Sequence, residues 1–185
     1  MGVKELFSAI ARLLFSNGRF WRELKESVPP EDANVMREYA VPVIAMVQLL
    51  KFPLIGQPRP AMYFSIANFL IDVAALFVLS GGTLSLLEPD KRERFQESVS
   101  SVVCYAMTPV WLGELLYFIP GSWNLLFAAV AICCTLLIGR NGLKITFEGE
   151  LVLSASALRN VAIYFVAVNS ASLFLIRSMI RLFNF

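Results

Sequence analysis

Apolar residues run through this chain in long blocks, and the sparse polar breaks between them mark out the elements. From Ser98 to Gly139 the only formal charge is Glu114. A corner at Ile119-Pro120-Gly121-Ser122 divides that stretch, which predicts a transmembrane helical hairpin with spans over 98–119 and 123–139. Two earlier blocks predict spans over 39–56 and 61–87, and a last block predicts one over 158–180. Pro42 and Pro53 bound the first span, and Lys51 stands near its far end, where a lysine is expected to snorkel. Asp72 interrupts the second, whose Gly81-Gly82 predicts frayed or bent last turns. Pro109, inside Tyr105-Ala106-Met107-Thr108-Pro109-Val110-Trp111, would break a helix in water. In a bilayer it is tolerated where a neighbouring helix or a Ser/Thr hydroxyl takes the freed carbonyl. Trp111, Tyr117 and Trp123 are candidates for the interfacial aromatic belt.

The opening segment has a different pattern. Leu6, Ile10, Leu13 and Leu14, then Phe20, Trp21, Leu24 and Val28, recur at helical spacing, with basic residues between them. Arg12 and Glu5 interrupt the apolar run and no small-residue cleavage site follows, so a signal peptide is not expected. The pattern predicts an amphipathic helix lying in the headgroup plane, divided near Asn17-Gly18. Phe20 and Trp21 are its expected membrane anchors, together with Arg12, Arg19 and Arg22. Residues 1–30, ending in the linker Val28-Pro29-Pro30-Glu31-Asp32, thus precede a membrane domain over 31–185. Glu88 to Glu97 forms a polar break. Gly139-Arg140-Asn141-Gly142 predicts a helix end and a turn, opening an amphipathic connection of mixed charge to Arg159. The chain closes on Phe183-Asn184-Phe185.

Composition sharpens the fold class to an all-α, polytopic membrane protein with five transmembrane helices. Hydrophobic residues make up 57 % and charged residues 16 %, with mean hydropathy +0.66; soluble domains carry about 25 % charge. A net charge of +2 with no basic–aromatic run points away from nucleic acid. The chain has no histidine, the commonest metal ligand and general base. Cys104, Cys133 and Cys134 read as small apolar fillers, so neither a metal nor a cofactor is expected. Serines lack a partner base and the glycines form no phosphate loop, so no enzyme is expected. Of the 16 lysines and arginines, twelve fall on the side of the N-terminus and four on the other. The positive-inside bias then sets the N-terminus in the cytoplasm and the C-terminus outside, as in a bacterial inner membrane.

The order of features resembles the Yip1 family in its prokaryotic form. The resemblance rests on three pieces and spans about Leu6 to Ile180. The first is Leu13-Leu14-Phe15-Ser16 leading to Phe20-Trp21-Arg22-Glu23-Leu24-Lys25, where Asn17-Gly18 replaces the proline usual in members. The second is Phe95-Gln96-Glu97-Ser98 leading to the Thr108-Pro109 segment, and the third is Ile138-Gly139-Arg140-Asn141-Gly142-Leu143-Lys144. The resemblance implies five spans, a cytosolic N-terminus and an adaptor role, since eukaryotic relatives serve membrane traffic and meet small GTPases. It brings no catalytic residues.

Ionisable residues inside a span are expensive and therefore candidate sites. Asp72, with Asn68 one turn away, Gln48 on the first span and Asn169 on the fifth, could form a midplane polar cluster. Glu114 and Arg177 have matched depths and predict an ion pair. Two functions follow. One is a scaffold or adaptor, free-standing or an accessory subunit, whose partners are membrane lipids and proteins in the membrane or at its cytoplasmic face. The other is a small carrier or an ion or proton pathway through Asp72, with the alternative for the cluster being an interhelical clamp.

Overall fold

The computed structural model describes residues 2–26, 34–87, 92–119, 123–149 and 153–182. The linker at Val28–Asp32, the start of the polar break at Glu88, the corner at Pro120–Ser122 and the closing Phe183–Phe185 lie outside the described residues. Eight α-helices appear among those described. They are α1 (Val3–Phe15), α2 (Asn17–Glu26), α3 (Val41–Ile55), α4 (Pro58–Leu87), α5 (Arg92–Ala106), α6 (Thr108–Gly113), α7 (Trp123–Thr146) and α8 (Ala155–Leu182). A π-helical turn at Met36–Ala40 leads into α3, and a 3₁₀ turn at Glu114–Phe118 follows α6.

Among the described residues, five helical runs are long and apolar enough to cross a membrane: Met36–Ile55, Pro58–Leu87, Phe95–Phe118, Trp123–Thr146 and Ala155–Leu182. The protein is an all-α, five-span membrane protein. Span three is the central pillar, with 72 % of its most apolar window buried by protein, whereas α8 has only 17 % and stands at the edge. Long α4 packs against α3, α5 and α8, and α7 packs against α2, α5 and α6. On α4 the protein-facing stripe runs Ala61, Phe64, Asn68, Asp72, Ala75, Leu76, Leu79 and Thr83, at helical spacing. Its opposite side shows Ile66, Leu70, Phe77 and Val78 to the surroundings. A helix apolar on both faces suits a lipid solvent, where packing and not water exclusion decides which face turns inward.

The break in span three has a clear chemical cause. Pro109 has no N–H, so the Tyr105 carbonyl loses its ordinary partner. The Thr108 hydroxyl donates to that carbonyl at 2.8 Å, and the Tyr39 hydroxyl lies 2.8 Å from Thr108 Oγ1. Thr108 has already given its proton, so Tyr39 is the donor to it. The proline thereby fastens span one to span three.

Glycines set two close helix approaches. A Cβ on Gly82 would lie 2.2 Å from the Tyr164 ring, whose hydroxyl donates to the Val78 carbonyl at 2.8 Å. Gly82 therefore seats α8 on α4, and α4 continues without fraying to Leu87. A Cβ on Gly142 would lie 2.7 Å from the Trp21 ring. The turn expected at Gly139–Gly142 is absent: α7 runs on to Thr146, because these glycines serve packing and not chain reversal.

The amphipathic segment forms two helices broken at Ser16, one residue before Asn17-Gly18. Phe20 and Trp21 are not membrane anchors. Both are buried against the protein, edge-on to Tyr105, with Trp21 in the Gly142 notch. Arg12, Arg19 and Arg22 remain exposed. Trp111 and Tyr117 are likewise buried by protein, while Trp123 is exposed.

Candidate functional site

The three buried charged residues of spans one to three, Lys51, Asp72 and Glu114, converge on one cluster. Gln48 and Lys51 share a face of α3 at i, i+3, and Asn68 and Asp72 share a face of α4 at i, i+4. The 3₁₀ turn that ends span three brings Glu114 between them. All five side chains are at most 4 % exposed.

Lys51 Nζ donates to Glu114 Oε2 in an ion-pair hydrogen bond, and also to Gln48 Oε1 at 3.0 Å. Gln48 Nε2 donates to Asp72 Oδ2 at 2.9 Å. Asn68 Nδ2 links the two carboxyls, donating to Glu114 Oε2 at 2.6 Å and to Asp72 Oδ2 at 3.5 Å. Ser65 Oγ donates to the Gln48 carbonyl at 3.3 Å, and the Lys51 ammonium lies 5.8 Å from the Phe64 ring centroid. Glu114 Oε1 and Asn68 Oδ1 are buried with no hydrogen-bond partner among the described residues. With all three groups ionised, two carboxylates face one ammonium and the set is one positive charge short of neutrality.

Three sequence expectations are corrected here. Glu114 pairs with Lys51 and not with Arg177, which forms no ion pair among the described residues. The reason is topological: α8 packs chiefly on α4 and α7, so Arg177 is not carried to the 3₁₀ turn that α3 lies against. Asn169 forms no hydrogen bond with Asp72 either. Its Nδ2 donates to the Phe165 carbonyl of its own helix at 2.8 Å, and its Oδ1 is buried with no partner among the described residues. Lys51 does not snorkel; it is buried completely, held by Glu114 and Gln48. The signal for it lay in the sequence as the i, i+3 pairing with Gln48, one residue on the face that Asp72 requires.

Among the described residues no group of three His, Cys, Asp or Glu is placed to hold a metal ion. Compared with protein-family models, curated proteins and solved structures, the chain matches none of them.

At the other end of the bundle the amphipathic helices dock firmly. Lys25 Nζ donates to the carbonyls of Ile145 and Glu148, both at 2.9 Å, capping the end of α7 where the helix dipole favours a cation. Arg12 pairs with Glu23 at 3.0 Å across the α1–α2 break, an exposed bridge worth only about 0–1 kcal/mol.

Proposed function

We propose that the protein is a non-enzymatic membrane scaffold or adaptor of Yip1-like type, in a bacterial inner membrane with its N-terminus cytoplasmic. The observation that carries this reading is the docked pair α1–α2. Trp21 in the Gly142 notch and Lys25 on the α7 carbonyls hold the pair against the bundle, so its charged side is a preformed platform. That side presents Arg19, Arg22, Glu23 and Glu26 to solvent. The closed burial of Lys51, Asp72 and Glu114 supports the same reading, since groups without access to water act as a clamp between spans. Partners are proteins that meet this platform from the aqueous side, and lipids around the spans.

A second reading has an observation of its own. The unpartnered Glu114 Oε1 and Asn68 Oδ1, beside a charge set one cation short, suit a proton or small cation and hence a carrier.

One set of experiments separates the two. In full-length protein carrying Arg19→Glu with Arg22→Glu, stoichiometric partners recovered from native membranes should fall roughly tenfold, since charge reversal at a rim weakens association. Thermal stability should stay unchanged. Undiminished recovery overturns the adaptor. A pH-dependent flux in proteoliposomes that Asp72→Asn abolishes establishes the carrier instead.

A further inference from the structure

A cavity of about 520 Å³ opens between α4, α5, α7 and α8, within the volume range of roughly 300–1,000 Å³ typical of small-molecule sites. Its location follows from the residues that line it. Thr83 is near the end of α4, Val103 is in the later half of α5, Leu143 is near the end of α7, and Leu158 is in the first turn of α8. The cavity thus lies at the end of the bundle that carries α1 and α2, remote from the Lys51–Glu114 cluster.

Three features describe what it holds. The walls are apolar, built by Val103, Leu143, Leu158 and Phe165. Leu137, also on the lining, is 61 % exposed on the outer side of α7, so the lining reaches the surface that the bundle turns to its surroundings. Thr83 and Thr135 are among the lining residues, and their fully buried hydroxyls have no hydrogen-bond partner among the described residues.

The third feature is charge. Arg140 and Lys144, one turn apart on α7, and Arg159 on α8 line the same cavity and are exposed. None forms an ion pair among the described residues. All three stand in the last two turns of α7 or the first two of α8, at the level where headgroups begin.

From this juxtaposition we infer that the cavity is a binding site for one anionic glycerophospholipid. Its acyl chain enters past Leu137 and fills the apolar space. Its ester carbonyls accept hydrogen bonds from Thr83 and Thr135, and its phosphate and anionic headgroup sit on Arg140, Lys144 and Arg159. The occupant is a lipid and not a soluble anion, because the cations stand at the rim of an apolar chamber whose lining reaches the outer surface of the bundle. It is anionic and not zwitterionic, because three cations are gathered and none of them forms an ion pair among the described residues. A basic pocket between spans at the cytoplasmic level is a recognised form of lipid recognition. This site is independent of the adaptor reading.

The test uses full-length protein, delipidated in a neutral detergent and titrated with defined lipids while melting temperature and bound lipid are followed by native mass spectrometry. Phosphatidylglycerol should bind and raise the melting temperature, and phosphatidylcholine of the same chains should bind more weakly. Inorganic phosphate at equal concentration should do nothing. Arg140→Gln, Lys144→Gln and Arg159→Gln lie on the exposed surface and should leave the fold intact. Each should weaken phosphatidylglycerol roughly fivefold, as about 1 kcal/mol per basic residue implies, and all three together should erase its advantage over phosphatidylcholine. Ala162→Phe, which fills the chamber, should abolish retention of both lipids. Equal binding of the two lipids, a phosphate effect matching that of the lipid, or an advantage surviving the triple substitution each overturns the site.

Discussion

Lys51 shows how far a single side chain can be misplaced by position alone. Near the end of a span a lysine ordinarily reaches the headgroups, yet this one turns inward because Gln48 and Glu114 offer oxygens within the protein. Breaking a buried pair strands the remaining charge, at about 3–5 kcal/mol, whereas removing both partners can be nearly neutral. Lys51→Met should therefore lower the melting temperature in detergent by on the order of 10 °C. The double substitution Lys51→Met with Glu114→Gln should regain more than half of that loss. A single substitution that melts like the native protein would show that the pair carries no structural load. Asn68, donating to both carboxyls, is the next most exacting position in the cluster.

At the scale of elements, the glycines and the proline decide how closely helices meet. Gly142 has no substituent because the Trp21 ring fills that place, and Gly82 has none because Tyr164 does. Gly142→Ala should consequently loosen α2 from α7. Limited trypsin digestion at Arg19, Arg22 and Lys25 should become several-fold faster, reporting a cheaper local opening. Gly81→Ala, where a Cβ meets nothing within 4 Å, is the matched control and should change little. Equal digestion rates for the two variants would mean that the Trp21 notch does not fasten the platform. The Thr108–Tyr39 link acts in the same way between spans one and three, with a proline creating the vacancy that the hydroxyl fills.

For the whole molecule, five spans place the two ends on opposite faces. Single-cysteine reporters at Gly2 and Phe185, in a background lacking Cys104, Cys133 and Cys134, should be labelled by impermeant reagents from opposite sides. Under the proposed orientation, Gly2 should be the end labelled from the cytoplasmic side. Lys51, being buried, no longer counts as a loop charge, which strengthens the bias. Both ends reporting from one side would remove the five-span topology.

The sequence by itself determined the number of spans, their approximate extents and the amphipathic opening. Block hydropathy and helical spacing are properties of neighbouring residues, and a bilayer allows few structures besides a helix for such blocks. It also singled out Gln48, Asn68, Asp72 and Glu114, because polar groups are conspicuous in an apolar run. It did not determine their partners. Matched depth allowed Arg177 or Lys51 to face Glu114 and allowed Asn169 to join Asp72. Only the packing of α3, α4 and the 3₁₀ turn chose Lys51 and left α8 outside. The same holds for Phe20 and Trp21, whose apolar character suits lipid or protein alike. In a membrane both surroundings are apolar, so hydrophobicity cannot tell them apart, and the fit of Trp21 to Gly142 decided the matter.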